Sequence, residues 1–329
     1  MQFADDSRYA LYGLRSGNPY VSRPLDAVTC ESDHELLLEL AGFIPLTTLK
    51  TAIEQKAGRK RPVFVLITGV GKSGRTSLAN HIMRLYRDAA TSPGATFVTH
   101  RAEPDDMTHD AYAQICSTLL SLRNKMNECA IKIPDELRAR FTELGQRTRA
   151  DRMNEYDLQD IAGLAGSTFA AAKVAFGIRY EGVPTKQLIT LATKVFESTS
   201  TVVVFTVDAY EHANTVRLTK AERERFAARG HIVDLGTLTP EQISELAKHR
   251  WNGRPPAPFH EQGLTNALSG REYTVGQALR RLEVLLDFRL SEYEKDDPWP
   301  TDDLHMHENW LRLKIWQGER WNGMGDIHG

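Results

Sequence analysis

Eight consecutive residues, Gly69-Val70-Gly71-Lys72-Ser73-Gly74-Arg75-Thr76, bring three glycines, two cations and two hydroxyls into one short loop. Such a loop can hold an anion: glycines let the backbone curl until successive N–H groups face one point, and a helix starting there adds its positive dipole end. Against the phosphate-binding pattern G-x-x-x-x-G-K-[ST], the loop matches at Gly69, Gly74 and Thr76 but carries Arg75 in place of lysine. A register ending on Gly71-Lys72-Ser73 would recover the lysine, yet it would put the first glycine position at Leu66, inside an apolar run. The register ending at Thr76 is therefore preferred. It makes Gly69, Val70, Gly71, Lys72, Ser73, Gly74, Arg75, Thr76 and Ser77 the candidate nucleotide-binding residues.

These residues need a strand before them and a helix after them. Residues 63–68, VFVLIT, form a continuous apolar run of the kind buried on both faces of a parallel sheet. Residues 77–87 place Leu78, Ile82, Met83 and Tyr86 at helical spacing. Further strands are expected at 95–101, 201–207 and 231–235, with a helix over 185–197. The run TVVVFTV ends on Asp208. An aspartate at the carboxyl end of a buried parallel strand faces the phosphates, so Thr76 and Asp208 are the candidate magnesium ligands. Thr239-Pro240-Glu241-Gln242 reads as a helix start with a capping threonine and proline at the first helical position. Residues 102–184 read as a long helical insertion, with helices expected over 111–126 and 135–144 and a close-packed Ala/Gly-rich helix over 161–178.

The 329 residues carry a net charge of −2, a pI near 6.6 and 41% hydrophobic residues, which suits a globular chain with a real core. Near-neutral charge makes nucleic acid an unlikely principal partner. Cys30, Cys116 and Cys129 have no close-spaced pair and read as free thiols in a reducing compartment. No run of signal-peptide or membrane-spanning length is present, so a cytoplasmic location without membrane partner is expected.

The order of these pieces resembles the AAA+ and STAND class of P-loop ATPases, especially the branch of origin-recognition-like ATPases and bacterial signalling STAND proteins. The resemblance spans residues 18–290. It rests on NPYVSRPL at 18–25, similar to the segment those families lay beside adenine, on the loop 69–76, on VVVFTVDAYE, and on LGTLTPEQISELAKHRW, similar to the opening of their helical lid. It implies an α/β P-loop NTPase three-layer sandwich with a parallel sheet, followed by a small helical lid. ATP or ADP with magnesium would be the cofactors, and Arg271 or Arg280 of the lid could sense phosphate. The corresponding domain division is an N-terminal segment 1–60, an α/β domain 61–236 that includes the insertion 102–184, a lid 237–290 and an acidic, Trp-rich tail 291–329.

Three departures from the family pattern point one way. Arg75 replaces the lysine that reaches the β- and γ-phosphates, and its planar fork is no equivalent of a compact ammonium. Asp208 is followed by Ala209 where the family has an acid that polarises the attacking water, the nearest acid being Glu211. The twenty-two residues between Asp208 and His231 leave no room for the family's sensor strand. Together these remove terms that carry phosphoryl transfer. The expectation is a degenerate nucleotide-binding regulatory or signalling protein with little or no hydrolysis. The alternatives are a non-nucleotide scaffold in a bacterial conflict or signalling system, and an active AAA+ ATPase acting on nucleic acid. Four of the five tryptophans, Trp299, Trp310, Trp316 and Trp321, lie in the tail, where WLRLKIW alternates as an edge strand would. They either finish the protein's own core or form a site for a protein partner or self-association.

Overall fold

The computed structural model describes residues 6–14, 17–91, 95–102, 110–146, 153–182, 184–208, 218–253, 255, 257–293 and 304–322. After a short 3-10 helix, Asp6–Tyr12, the elements run α1 (Glu31–Glu35), α2 (Leu46–Gly58), β1 (Val63–Gly69), α3 (Arg75–Ala90), β2 (Phe97–Ala102), α4 (Ala111–Glu128), α5 (Asp135–Gln146), α6 (Glu155–Ala171) and β3 (Ala175–Tyr180). Then follow α7 (Lys186–Val195), β4 (Thr201–Asp208), α8 (Lys220–Ala227), β5 (His231–Leu235), α9 (Pro240–Arg250), α10 (Glu261–Ala267), α11 (Val275–Ser291) and α12 (Glu308–Asn322).

The five strands form one parallel sheet in the order β2-β3-β4-β1-β5. Its two faces explain why β1 is apolar without alternation. Val63, Val65 and Ile67 pack with residues of α2 and α3, while Phe64 and Leu66 pack on the opposite side with α4 to α7. The result is a three-layer α/β sandwich with a parallel sheet. A third apolar cluster joins Tyr12, Leu14 and Tyr20 of the N-terminal segment to α9, α10, α11 and α12, and this is the helical part that follows the sheet. Among the described residues, no helix is long and apolar enough to cross a membrane.

Two expectations are corrected here. Residues 161–178 are not one helix: α6 ends at Ala171 and Ala175–Tyr180 is a central strand, so the stretch 102–184 contributes β3 to the sheet. The chain leaves the helix through Lys173, which takes φ +57° with its N–H on the Ala170 carbonyl. That left-handed position is usually marked by glycine, and a lysine there gives no sequence signal. The WLRLKIW segment is helical within α12, where Leu311 and Ile315, four residues apart, are buried and Leu313 is exposed.

Candidate phosphate-binding loop and adjoining cavity

The loop begins where β1 stops. Gly69 lies in register with Asp208 on one side and Leu235 on the other, so the loop leaves the carboxyl edge of the sheet between β4 and β5. The Ser73 N–H closes a turn onto the Val70 carbonyl at 3.1 Å. Lys72 and Gly74 both have positive φ, +64° and +96°, and this curls the chain into the first turn of α3. No side chain caps α3, and no acid lies in its first turn, so its N-terminal N–H groups keep their capacity for an anion.

The interior of the curl carries a second sign of a missing ligand. Ser73 is 1% exposed, and its Oγ has no hydrogen-bond partner among the described residues. It sits where a Cβ on Gly69 would collide with it. A buried hydroxyl without a partner costs on the order of 1–3 kcal/mol, a cost that a phosphate oxygen would relieve. The loop therefore fits a phosphate.

Arg75, in the lysine position, is bound to Asp208 at 2.9 Å. The guanidinium thereby neutralises the carboxylate that the sequence offered as a magnesium ligand. Thr76 lines the cavity beside the loop, but with Asp208 engaged by Arg75 the two residues do not present a divalent-cation site as they stand. Ser77 serves to anchor the chain, since its Oγ accepts from the Leu25 N–H at 3.0 Å while Asn80 donates to the Leu25 carbonyl at 2.7 Å. These two bonds pin the segment around Leu25 to α3. Val70 and Gly71 shape the turn.

The lid closes the other side. The Gly276 N–H at the start of α11 donates to the Lys72 carbonyl at 2.8 Å. A Cβ at Gly276 would stand 2.9 Å from both Lys72 Cβ and its carbonyl oxygen, so only glycine permits this approach. Between loop, N-terminal segment and lid lies a cavity of about 640 Å³. Residues 72–77 form its polar end, while Leu25, Leu37, Leu246 and Leu279 belong to its apolar walls. Arg280 also lines it, though its side chain is largely exposed and paired with Glu283 at 2.8 Å.

Two residues escaped the sequence reading. Glu181 follows β3 at the same sheet edge, is 8% exposed, and is held by Arg179 at 2.8 Å and by Arg101. The alternation Phe176, Ile178, Tyr180 before an acid was the signal for it. Arg250, the last residue of α9, lines the cavity at 6% exposure, and its buried Nε has no hydrogen-bond partner among the described residues. Burial, then the charge of Arg23, lowers its pKa to about 10 against the pull of Asp33, so it stays cationic at neutral pH. No sequence signal distinguishes it from a surface arginine. Glu211 and Ala209 lie outside the described residues, as do Trp299 and the side chain of Trp321. Among the described residues no group of three or more His, Cys, Asp or Glu side chains is placed to hold a metal.

No family model and no curated protein matches the chain. Among solved structures, it is similar to the Aeropyrum pernix ORC1 protein in complex with DNA, with 13% identity, 85% of this chain and 68% of that chain covered, and a TM-score of 0.45. It is also similar to Drosophila ORC bound to DNA, with 10% identity, coverages of 94% and 71%, and a TM-score of 0.45. Rhizobiales Trip13 shows 12% identity, coverages of 94% and 95%, and a TM-score of 0.41. At such values the similarity is one of chain path, and what those proteins bind stays with them.

Proposed function

We propose that this chain is a nucleotide-binding regulatory protein of AAA+ or STAND type with little or no hydrolysis. The observation that carries the reading is the loop itself: an uncapped helix start and an orphaned Ser73 hydroxyl form an anion cradle, while its lysine-position cation is tied to Asp208. The resemblance implies ATP or ADP; the loop addresses the phosphates. Backbone N–H groups of residues 74–77 and the Ser73 hydroxyl would hold the β-phosphate, and Arg75 would have to exchange Asp208 for phosphate oxygens to join them.

Weak hydrolysis follows from the charges. In the family order of acid strand, sensor strand and last strand, β3, β4 and β5 put Glu181 in the acid's place and Asp208 in the sensor's. On this assignment a polar residue does stand at the sensor position, contrary to the expectation drawn from the short 208–231 interval. Glu181, clamped by two arginines, makes a poor proton acceptor for an attacking water. Should magnesium accompany the nucleotide, it would lend charge to the phosphates, with Thr76 as the free protein ligand. A protein partner or self-association is proposed on the side of α11 and α12, where Phe288, Leu313 and Trp316 are exposed. Two similar structures hold DNA, but the net charge of −2 does not favour that role here.

Calorimetry with nucleoside di- and triphosphates on the parent and on Gly74→Asp, alongside phosphate release, tests the reading. Saturable heat in the parent, its loss in the variant and negligible release are expected. Absence of heat with every nucleotide would favour the scaffold. Sustained release abolished by Glu181→Gln would make the chain an active ATPase.

A further inference from the structure

Three consecutive cations, Arg59, Lys60 and Arg61, stand exposed where α2 turns into β1. The turn is held by its own backbone: the Lys60 N–H donates to the Ala57 carbonyl at 2.9 Å and the Arg61 N–H to the Lys56 carbonyl at 3.0 Å, with Lys60 at φ +54°. That is the left-handed ending of a helix, which glycine adopts without steric cost and lysine does not. β5 lies beside β1, and the turn before it brings Arg229 alongside. Lys56 Nζ donates to the Arg229 carbonyl at 2.7 Å, and a Cβ on Gly230 would stand 2.6 Å from the Phe64 carbonyl oxygen. Arg225, at the end of α8, is exposed as well. Cations at the end of α2 suit its dipole, but that effect fades within the last turn and calls for neither Arg225 nor Arg229. Among the described residues Arg59, Lys60, Arg61 and Arg225 make no ion pair, and Arg229 has Glu197 at 3.5 Å. A chain of net charge −2 thus gathers these five cations at the amino edge of its sheet.

The same chain carries a segment of opposite charge. Residues 294–303, EKDDPWPTDD, lie outside the described residues and hold five acids against one lysine, with Trp299 between two prolines. An arginine fork takes a carboxylate bidentately and stacks on an indole face. Both flanks of the segment are fastened to the lid. Glu292 accepts from Trp310 Nε1 at 2.9 Å and pairs with Lys314 at 2.7 Å, while the Met306 N–H donates to the Pro258 carbonyl at 2.7 Å. The lid meets the sheet at its carboxyl edge, through Gly276 on Lys72, and its apolar cluster contains no residue of the sheet, α2 or α8. The basic turn is a full strand away, and the seven residues of β1 span about 23 Å. A ten-residue segment fastened at both ends reaches out only about 18 Å. It falls short of the turn in its own chain and is free to meet that of a neighbour.

We infer that the basic turn 59–61, with Arg225 and Arg229, receives the acidic segment 294–303 of a second copy of this chain. The contact is heterologous, the lid end of one copy on the opposite end of the next, so it builds rows or rings rather than a two-fold dimer. It goes beyond the association surface proposed on α11 and α12 and does not depend on the nucleotide reading of the loop.

Sedimentation velocity of the full chain across protein concentration and salt tests it. Association should be visible at about 50 mM salt and weaken roughly tenfold or more by about 0.5 M, where the Debye length drops below about 5 Å. Arg59→Glu with Arg61→Glu should leave a monomer, and so should Asp296→Lys with Asp297→Lys in an otherwise unchanged chain. Mixed in equal amounts, the two variants should associate again, through the intact segment of one and the intact turn of the other. If a charge reversal fails to fold, Arg59→Gln with Arg61→Gln and the salt series on the parent decide. A parent that stays monomeric at low salt, or an assembly that neither pair of substitutions weakens, would overturn the inference. A monomer that binds duplex DNA and loses it with Arg59→Glu and Arg61→Glu would overturn it in favour of a nucleic-acid surface. Nucleotide calorimetry on the reversal variants should match the parent, so failure here leaves the loop reading untouched.

Discussion

Asp208 and Arg75 are joined by one ion pair at the loop, and on the proposed reading that pair tunes its affinity for phosphate. The pair is partly exposed, 19% and 35% by side chain, so breaking it costs only about 1 kcal/mol. Asp208→Asn frees the guanidinium for phosphate, and diphosphate binding should tighten about fivefold, measured by calorimetry at fixed salt. Unchanged affinity would mean that Arg75 does not reach the ligand. Arg75→Lys should tighten binding further, since a compact ammonium fits the cradle better than a fork. A second residue-scale effect lies behind α3. His81 is 7% exposed and stacks on His34 at 5.2 Å; burial first, then His34, lowers its pKa to about 4. Arg84 and Lys50 push the same way and Asp88 opposes them. Between pH 4 and 6.5 the unfolded chain binds a proton that the folded one excludes. The contribution is full above pH 6.5 and is lost as the pH falls toward 4, on the order of 3 kcal/mol. Urea unfolding at pH 7.5, 5.5 and 4.5 should show a shallower decline for His81→Leu than for the parent; parallel profiles would contradict the assignment.

At the scale of elements, α12 and the start of α11 carry the sharpest tests. Were WLRLKIW an edge strand, Leu311, Leu313 and Ile315 would share one face and cost alike on truncation. As a helix, Leu311→Ala should cost about 2–5 kcal/mol while Leu313→Ala stays within about 0.5 kcal/mol. Equal losses in denaturant melts would restore the strand. Gly276→Ala forces a Cβ against the Lys72 carbonyl, and overpacking of this kind costs about 1–3 kcal/mol. Gly58→Ala, which has open space around it, should be neutral or stabilising. The difference in melting temperature between the two isolates the contact of lid with loop. That contact runs through the Lys72 carbonyl, so nucleotide affinity should drop in Gly276→Ala and not in Gly58→Ala.

For the whole molecule, the three apolar clusters divide the labour. Two clamp the sheet, and the third ties the N-terminal segment, the lid helices and α12 into one unit that meets the loop at Lys72. Removal of residues 305–329 takes Met306, Leu311 and Ile315 out of that third cluster and leaves both sheet faces covered. The truncated chain should lose nucleotide binding and show weakened hydrogen-exchange protection in α9 to α11, with β1 and β4 still protected. A truncation that keeps full lid protection but loses an oligomer or a partner would assign the tail to an interface.

Local sequence was sufficient for β1, β4, α7 and the start of α9, because each carries its own signal: an unbroken apolar run, or a capping threonine followed by helical periodicity. The loop was legible for the same reason, its glycines being placed by backbone geometry. Other features depend on residues distant in sequence. β3 was hidden because Lys173 ends α6 without punctuation, and α12 because two faces of a helix alternate over seven residues much as a strand does. Charge pairing was the least legible. Nothing near Arg75 in sequence names Asp208 as its partner, nothing near Glu181 announces Arg101, and nothing at Arg250 shows that it is buried. Hydrogen bonds and burial are properties of space, and here the strand order β2-β3-β4-β1-β5 and the docking of the lid on Lys72 decide which charges meet.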